Sequence, residues 1–250
     1  MIDRYINNKI NAIWNDQNRF DTWKLIQEKY VETLEELKIA EAGIAKKIRK
    51  AEISKEEVYK QEKVTNHDLA SFVDILQKKV GEGSNWVHYG LTSSDIVDSA
   101  NSLLIIQSIE IAQELILNLL KELKLKAIKN KDTKIIGRTH GVYAEETFLG
   151  NIFGNWYLEI KRSLDRLERA KVSIAYGKLS GPVGNHTVVT EEMEEITLEK
   201  LGLKPEIFAS QIVSRDRYAE VFTSLSILAS TYERISTNLR SYQRSEISEM

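Results

Sequence analysis

An all-α fold, with a small helical head followed by an elongated bundle of long helices, is what this sequence predicts. Three observations carry that expectation. Only two prolines occur, Pro182 and Pro205, so the first 181 residues contain no strong helix breaker. Three stretches place apolar residues at helical spacing over lengths beyond an ordinary globular helix: about Ser94–Asn130, Ala144–Tyr176 and Ser214 to the last residue. Short polar runs containing glycine separate these stretches. The expected division is a helical domain over residues 1–93 and a long-helix bundle over 94–250. That bundle is expected to be cut short, with no C-terminal domain after it.

Taken in order, Asp16–Ala40 reads as the first helix, with Phe20, Trp23, Leu25, Ile26, Tyr30, Leu34 and Leu37 giving a roughly helical apolar face. Ser54 and Glu57 form a capping-box pair that opens a shorter helix through Lys63. Leu69–Val80 is another short helix, stopped by Gly81 and Gly83. The Ser94–Asn130 stretch predicts a helix on the order of 50 Å long. It is so dense in Ile and Leu that one buried face does not use them all. KIIGRTHGV at 134–142 breaks the period before the second long helix, where Gly150 and Gly154 share one side and permit close backbone approach. GKLSGPVG at 177–184 is the clearest loop, and Thr190 with Glu191 and Glu192 opens a helix that ends near Gly202. The third long helix is expected to run to Met250 without an end signal, which predicts a chain cut in mid-element.

Bulk composition narrows the function classes. The chain has 250 residues, 42% of them hydrophobic and 29% charged, with a net charge of −2. That balance suits a soluble protein and argues against nucleic acid or an anionic membrane as the main partner. The absence of cysteine excludes disulfides and thiolate metal sites and fits the cytoplasm. The N-terminus lacks the apolar core of a signal peptide, and no run is expected to reach membrane-spanning length. Cofactor fingerprints are missing: there is no P-loop, dinucleotide motif, nucleophile elbow or HExxH metal pair. Neither a metal nor an organic cofactor is therefore expected.

What remains is a set of polar clusters at helix junctions: NHD around His67, HYGLTSSD at 88–95 and RTHG around His140. Hydroxyls and an acid at a helix start satisfy free N–H groups, and the same geometry favours a bound anion. An imidazole beside such a site supplies an acid/base group. Acid/base chemistry on an anionic small molecule is the class these residues support.

HD at 67–68, HYGLTSSD at 88–95, GRTHG at 137–141 and SGPVG at 180–184 together resemble the fumarase/aspartase superfamily. Within it, the RY, AIW, NRF, WVHYGLTS and QRSE segments look most like the bacterial adenylosuccinate lyase family, in order and over essentially the whole chain. The resemblance implies β-elimination of fumarate from adenylosuccinate and from the related succinyl-carboxamide ribotide of purine synthesis. It implies a cytoplasmic homotetramer with shared active sites. His140 matches the general acid, Thr139 a neighbouring substrate contact, His67 the accompanying histidine and Asp68 its adjacent acid. His88, Thr92 and Ser93 match the residues that hold the succinyl carboxylates, Arg4 and Tyr5 the pair that grips the nucleotide phosphate, and Gln211 a further substrate contact.

The chain also departs from the family pattern. Asn66 stands where a basic residue is usual, Tyr143 and Tyr218 where histidines are usual, and Glu146 where proline is usual. The family's signature loop, which carries the serine base, is expected just after QRSE at 243–246 and is not among these residues. A chain without that base is expected to be inactive alone. Two other readings stay open: a sister lyase or cycloisomerase of the same superfamily, and a non-catalytic helical module that associates with itself or with a full-length lyase.

Overall fold

A computed structural model describes residues 2–249. The helices in chain order are α1 Asn8–Ile13, α2 Asp16–Glu36, α3 Ile44–Lys50, α4 Lys55–Thr65, α5 Asp68–Val80 and α6 Ser93–Lys129. Strands β1 Lys134–Thr139 and β2 Val142–Phe148 follow, then α7 Leu149–Ile174, β3 Tyr176–Gly177, α8 Glu191–Lys200, β4 Lys204–Pro205 and α9 Asp216–Tyr242. The class is all-α, as expected: the strands amount to one hairpin and a two-residue parallel pairing of β3 with β4.

The helix starts follow their sequence signals. Ser54 accepts the Glu57 N–H while the Glu57 carboxylate accepts the Ser54 N–H, the complete reciprocal box at α4. Thr190 caps α8 by accepting the Met193 N–H. Asn66 ends α4 in the left-handed region at φ 54°. That conformation is tolerated far better by Asn than by most other side chains.

The chain forms two compact units. One comprises Met1–Ser108 with Ile174–Arg215, the other Ile109–Ser173 with Asp216–Met250. The core of the first is aromatic at its centre, where Phe20, Trp23 and Phe72 meet with ring centroids 5.3–6.1 Å apart. Tyr30, Leu34, Ile48, Leu69, Leu76, Ile96, Leu179 and Leu198 enclose that cluster. In the second unit Trp156 is buried against Phe153, and Glu159 bridges α7 to Thr231 and Arg234 on α9. Thr133 and Asn130 carbonyls accept the N–H groups of Leu149 and Gly150, which fixes the start of α7 on the end of α6.

Four expectations need correction. First, residues 142–148 are a strand rather than the beginning of the second long helix, so α7 starts at Leu149. Val142, Tyr143, Thr147 and Phe148 are β-branched or aromatic, and they pair across to β1 in antiparallel register from Lys134↔Phe148 to Thr139↔Val142. Second, α9 stops at Tyr242 rather than continuing to the last residue. The turns that follow are tied down by the Arg138–Glu249 ion pair at 2.5 Å. Third, α6 is long and apolar enough, by length and composition, to cross a membrane. Ile96, Ala100, Leu104, Ile109, Ile116 and Leu120 are buried, but only 33% of the apolar window is, and Leu115, Leu117, Leu125 and Ile128 stay exposed. Fourth, the two glycines of α7 differ. A Cβ at Gly150 would lie 2.6 Å from the Ala127 carbonyl oxygen and 2.8 Å from the Lys131 Cα, whereas one at Gly154 meets nothing within 4 Å.

That contrast is testable by urea unfolding. Gly150→Ala should lose about 1–3 kcal/mol because backbone must move to admit the methyl group. Gly154→Ala should gain about 0.5–1 kcal/mol from helix propensity alone. Equal effects would contradict the packing described for α7.

Candidate functional site

In the first unit, the N-termini of α5 and α6 meet. His67 is the N-cap of α5, and its Nδ1 accepts the Ala70 N–H at 3.3 Å. Accepting there leaves the ring proton of the neutral form on Nε2, which lies 3.3 Å from Ser93 Oγ at the first turn of α6. Asp68 holds the Leu69 N–H at 2.7 Å and lies 3.4 Å from His67 Nδ1. Two helix starts therefore converge on one imidazole–hydroxyl contact; the first N–H groups of α5 are taken up by its own caps, and the paired dipoles are what favour an anion there.

Thr92 is oriented from within α6, since its N–H donates to Asp95 Oδ2 at 2.8 Å. Asp95 in turn forms a fully buried ion pair with Lys178, whose ammonium also donates to the Gly181 carbonyl at 2.9 Å. Burial pushes the Asp95 carboxyl up, and the neighbouring Lys178 ammonium offsets only part of that rise. Three further bonds hold the 177–184 loop: Ser99 Oγ donates to the Lys178 carbonyl and accepts the Lys178 N–H, and Glu194 Oε1 accepts the Leu179 N–H at 2.6 Å. Burial raises the Glu194 carboxyl, and His186 Nε2 stands 3.6 Å from it.

His88 lies on the turn before α6, in the left-handed region at φ 64°. Fully buried Gln27 of α2 engages both its backbone N–H, at 3.0 Å, and its Nδ1, at 2.9 Å. Burial drives the imidazole down to about 4, with nearby His67 adding to the same direction, so His88 is neutral at pH 7.

Arg4, Tyr5 and Gln211 lie on other segments of the first unit. Arg4 lies over the Tyr5 ring at 4.9 Å, and both side chains are exposed. Gln211 is exposed on a segment anchored two and four residues later, where Asp98 accepts the Val213 N–H and a bidentate Arg215 guanidinium. Thr139 and His140 belong to the second unit. His140 and Gly141 form the two-residue turn between β1 and β2, both with positive φ (55° and 79°), which is the geometry of a tight type I′ hairpin. His140 is exposed at that tip. Glu146, at the position where proline is usual, pairs with Lys134 across the hairpin at 2.9 Å. Tyr143 lies under the Arg138 guanidinium at 5.1 Å. Among the described residues no group of three or more His, Cys, Asp or Glu side chains is placed to hold a metal.

The profile of a family described as lyase matches residues 7–250. The chain belongs to that lyase family. It is 40% identical to the adenylosuccinate lyase of Thermotoga maritima over 251 residues, covering all of this chain and 58% of the relative. The adenylosuccinate lyases of Aquifex aeolicus and Bacillus subtilis are 38% and 37% identical, again over 58% of their length. This lyase-family chain therefore spans a little over half the length of the curated relatives it matches. Two solved structures share its fold at 20% identity. One is fumarate lyase from Mesorhizobium sp. BNC1, with a TM-score of 0.88 over 96% of this chain and 58% of the other. The other is β-carboxy-cis,cis-muconate cycloisomerase from Acinetobacter calcoaceticus, with a TM-score of 0.90 over 97% and 59%. Membership of the fumarase/aspartase superfamily, expected from the motifs, holds.

Sequence reasoning missed Gln27 and Lys178 in this lyase-family chain. Gln27 carried a signal, being a polar residue three positions before Tyr30 on the apolar face of α2. Lys178 carried none, since a lysine in a glycine-rich loop ordinarily reads as solvated.

Two outcomes follow from the site chemistry. The unfolded chain protonates His88 near 6.5 and the folded chain near 4. Stability from this residue is thus present above about 6.5 and lost as pH falls toward 4. Chemical denaturation of wild type and His88→Gln at pH 7 and 4.5 should show the variant losing less stability on acidification; equal losses would refute it. Lys178→Met strands a buried carboxylate and should cost about 3–5 kcal/mol, against an indifferent result if the pair contributes nothing.

Proposed function

We propose that this chain is the substrate-holding and proton-donating portion of an adenylosuccinate lyase, a cytoplasmic enzyme of purine synthesis. The reaction is β-elimination of fumarate from adenylosuccinate, giving AMP, and from succinyl-aminoimidazole-carboxamide ribotide. The observation that carries the proposal is the meeting of the α5 and α6 starts at the His67–Ser93 contact. Backed by 40% identity to a named adenylosuccinate lyase, it brings hydroxyls and an imidazole donor to the positive ends of two helix dipoles, which is what a dicarboxylate needs.

In this reading His88, Thr92 and Ser93 hold the succinyl carboxylates, with Asp68 fixing the first turn of α5 beside them. A base removes the proton adjacent to a carboxylate, and the resulting carbanion is stabilised as an aci-carboxylate. His140, with Thr139 beside it, protonates the departing nitrogen, and His67 assists. Arg4 and Tyr5 grip the nucleotide phosphate, and Gln211 makes a further contact. The serine base that the family resemblance places after QRSE is not among these 250 residues, so the base comes from outside them.

A homotetramer with shared sites accounts for a second set of observations. Leu115, Leu117, Leu125 and Ile128 of α6 are exposed, as are Leu158 of α7 and Phe222 of α9. Such a concentration of apolar side chains on long helices is what subunit contacts cover.

Fumarate release from adenylosuccinate tests the proposal in two arms. The 250-residue chain alone should release essentially none, and release near a full-length relative's rate would overturn the placement of the base. Mixed with a full-length adenylosuccinate lyase whose histidine aligned with His140 is replaced by Asn, the chain should restore release. No restoration at any mixing ratio would count against the lyase reading.

A further inference from the structure

We infer that Gln27, with Tyr30 one turn further along α2, is a positioning residue that fixes His88 as a neutral imidazole carrying its proton on Nε2. The assignment follows from hydrogen-bond bookkeeping. The His88 backbone N–H can only donate, and the atom 3.0 Å away is Gln27 Oε1, so the orientation of the amide is determined. Gln27 Nε2, which can only donate, then lies 2.9 Å from His88 Nδ1. A donor facing Nδ1 requires a lone pair there, and the ring proton must sit on Nε2. Imidazolium is excluded by the same contact, because it would place two N–H groups head to head.

The surroundings make this arrangement hard to escape. Gln27 is fully buried, so no water competes for either end of its amide. Tyr30, also fully buried, donates its hydroxyl to the Tyr89 carbonyl at 2.8 Å, and so pins the peptide next to His88. On the other side of the turn, a Cβ at Gly90 would lie 2.4 Å from Val188 Cγ1. The turn is therefore closed in between α2 and residues 188–189, and His88 keeps its left-handed φ with little room to relax. Among the described residues Nε2 makes no hydrogen bond, so its N–H remains available. The use made of that N–H, donation to a substrate carboxylate, rests on the reading under Proposed function; the tautomer does not. A glutamine serves where glutamate would fail, since a carboxylate facing Nδ1 would draw the proton there and charge the ring.

Nitrogen NMR of the full chain with labelled histidine and glutamine tests this, because only four histidines need be resolved and His88→Asn identifies one of them. At pH 7, His88 should show a protonated Nε2 and an unprotonated Nδ1, with a scalar coupling between Nδ1 and the Gln27 amide nitrogen. A protonated Nδ1, or no coupling, overturns the inference in the wild-type protein without reliance on any variant. In Gln27→Glu, His88 should switch to the Nδ1-protonated or doubly protonated form while the signals of His67, His140 and His186 stay in place; an unchanged His88 pattern overturns it. Addition of fumarate should shift His88 Nε2 in the wild type. If the tautomer is as assigned and fumarate leaves Nε2 unmoved, the carboxylate role of His88 falls while the positioning role of Gln27 stands.

Discussion

The buried ion pair between Lys178 and Asp95 is the constraint on which the candidate site depends. Both side chains are completely removed from solvent, so neither charge can exist there without the other. Asp95 uses its second oxygen to hold the Thr92 N–H, and Lys178 uses another proton to hold the Gly181 carbonyl. One interaction therefore sets the first turn of α6 and the path of the glycine-rich loop together. Ser93, which reaches His67 of α5, lies inside the turn thus fixed. Desolvating a lysine and a carboxylate is costly, and its use here is geometric definition more than net stability.

Around that anchor the first unit arranges its polar groups by a consistent logic. Buried acceptors and donors are spent on backbone: Gln27 on His88, Tyr30 on Tyr89, Glu194 on Leu179, Asp98 on Val213. Partly exposed groups, His67, Asp68 and Ser93 among them, are held at the two helix starts. Rigid partners behind accessible donors are the arrangement expected of a preorganised anion site, because little rearrangement is left for binding to drive. In the second unit His140 sits at the apex of a two-residue hairpin turn.

Local signals were the legible part of the sequence. Ser54 with Glu57, Thr190 and the Ile- and Leu-rich period of α6 each announce structure within a few residues, and each formed. The hairpin at 134–148 was harder to read. Its glycines mark a break, but its return strand includes Ala144, Glu145 and Glu146, all acceptable in a helix, and only the pairing with β1 resolves the ambiguity. Gln27 and Lys178 act over sequence separations of 61 and 83 residues, so their partners are tertiary facts: the apolar face of α2 marks Gln27 as unusual without naming His88, and Lys178 has no local mark at all. The candidate histidines were singled out by motif order rather than spacing, and Gly154 was misread because a shared helix face does not establish a shared neighbour.

The account stands or falls on whether the starts of α5 and α6 form a carboxylate site. A crystal structure of the chain grown with succinate addresses this directly. It should show one carboxylate seated at the first turn of α6, within hydrogen-bonding distance of Ser93 and of His88 Nε2. Succinate bound elsewhere, with His67 and Ser93 still joined and the turn empty at saturating concentration, would contradict it.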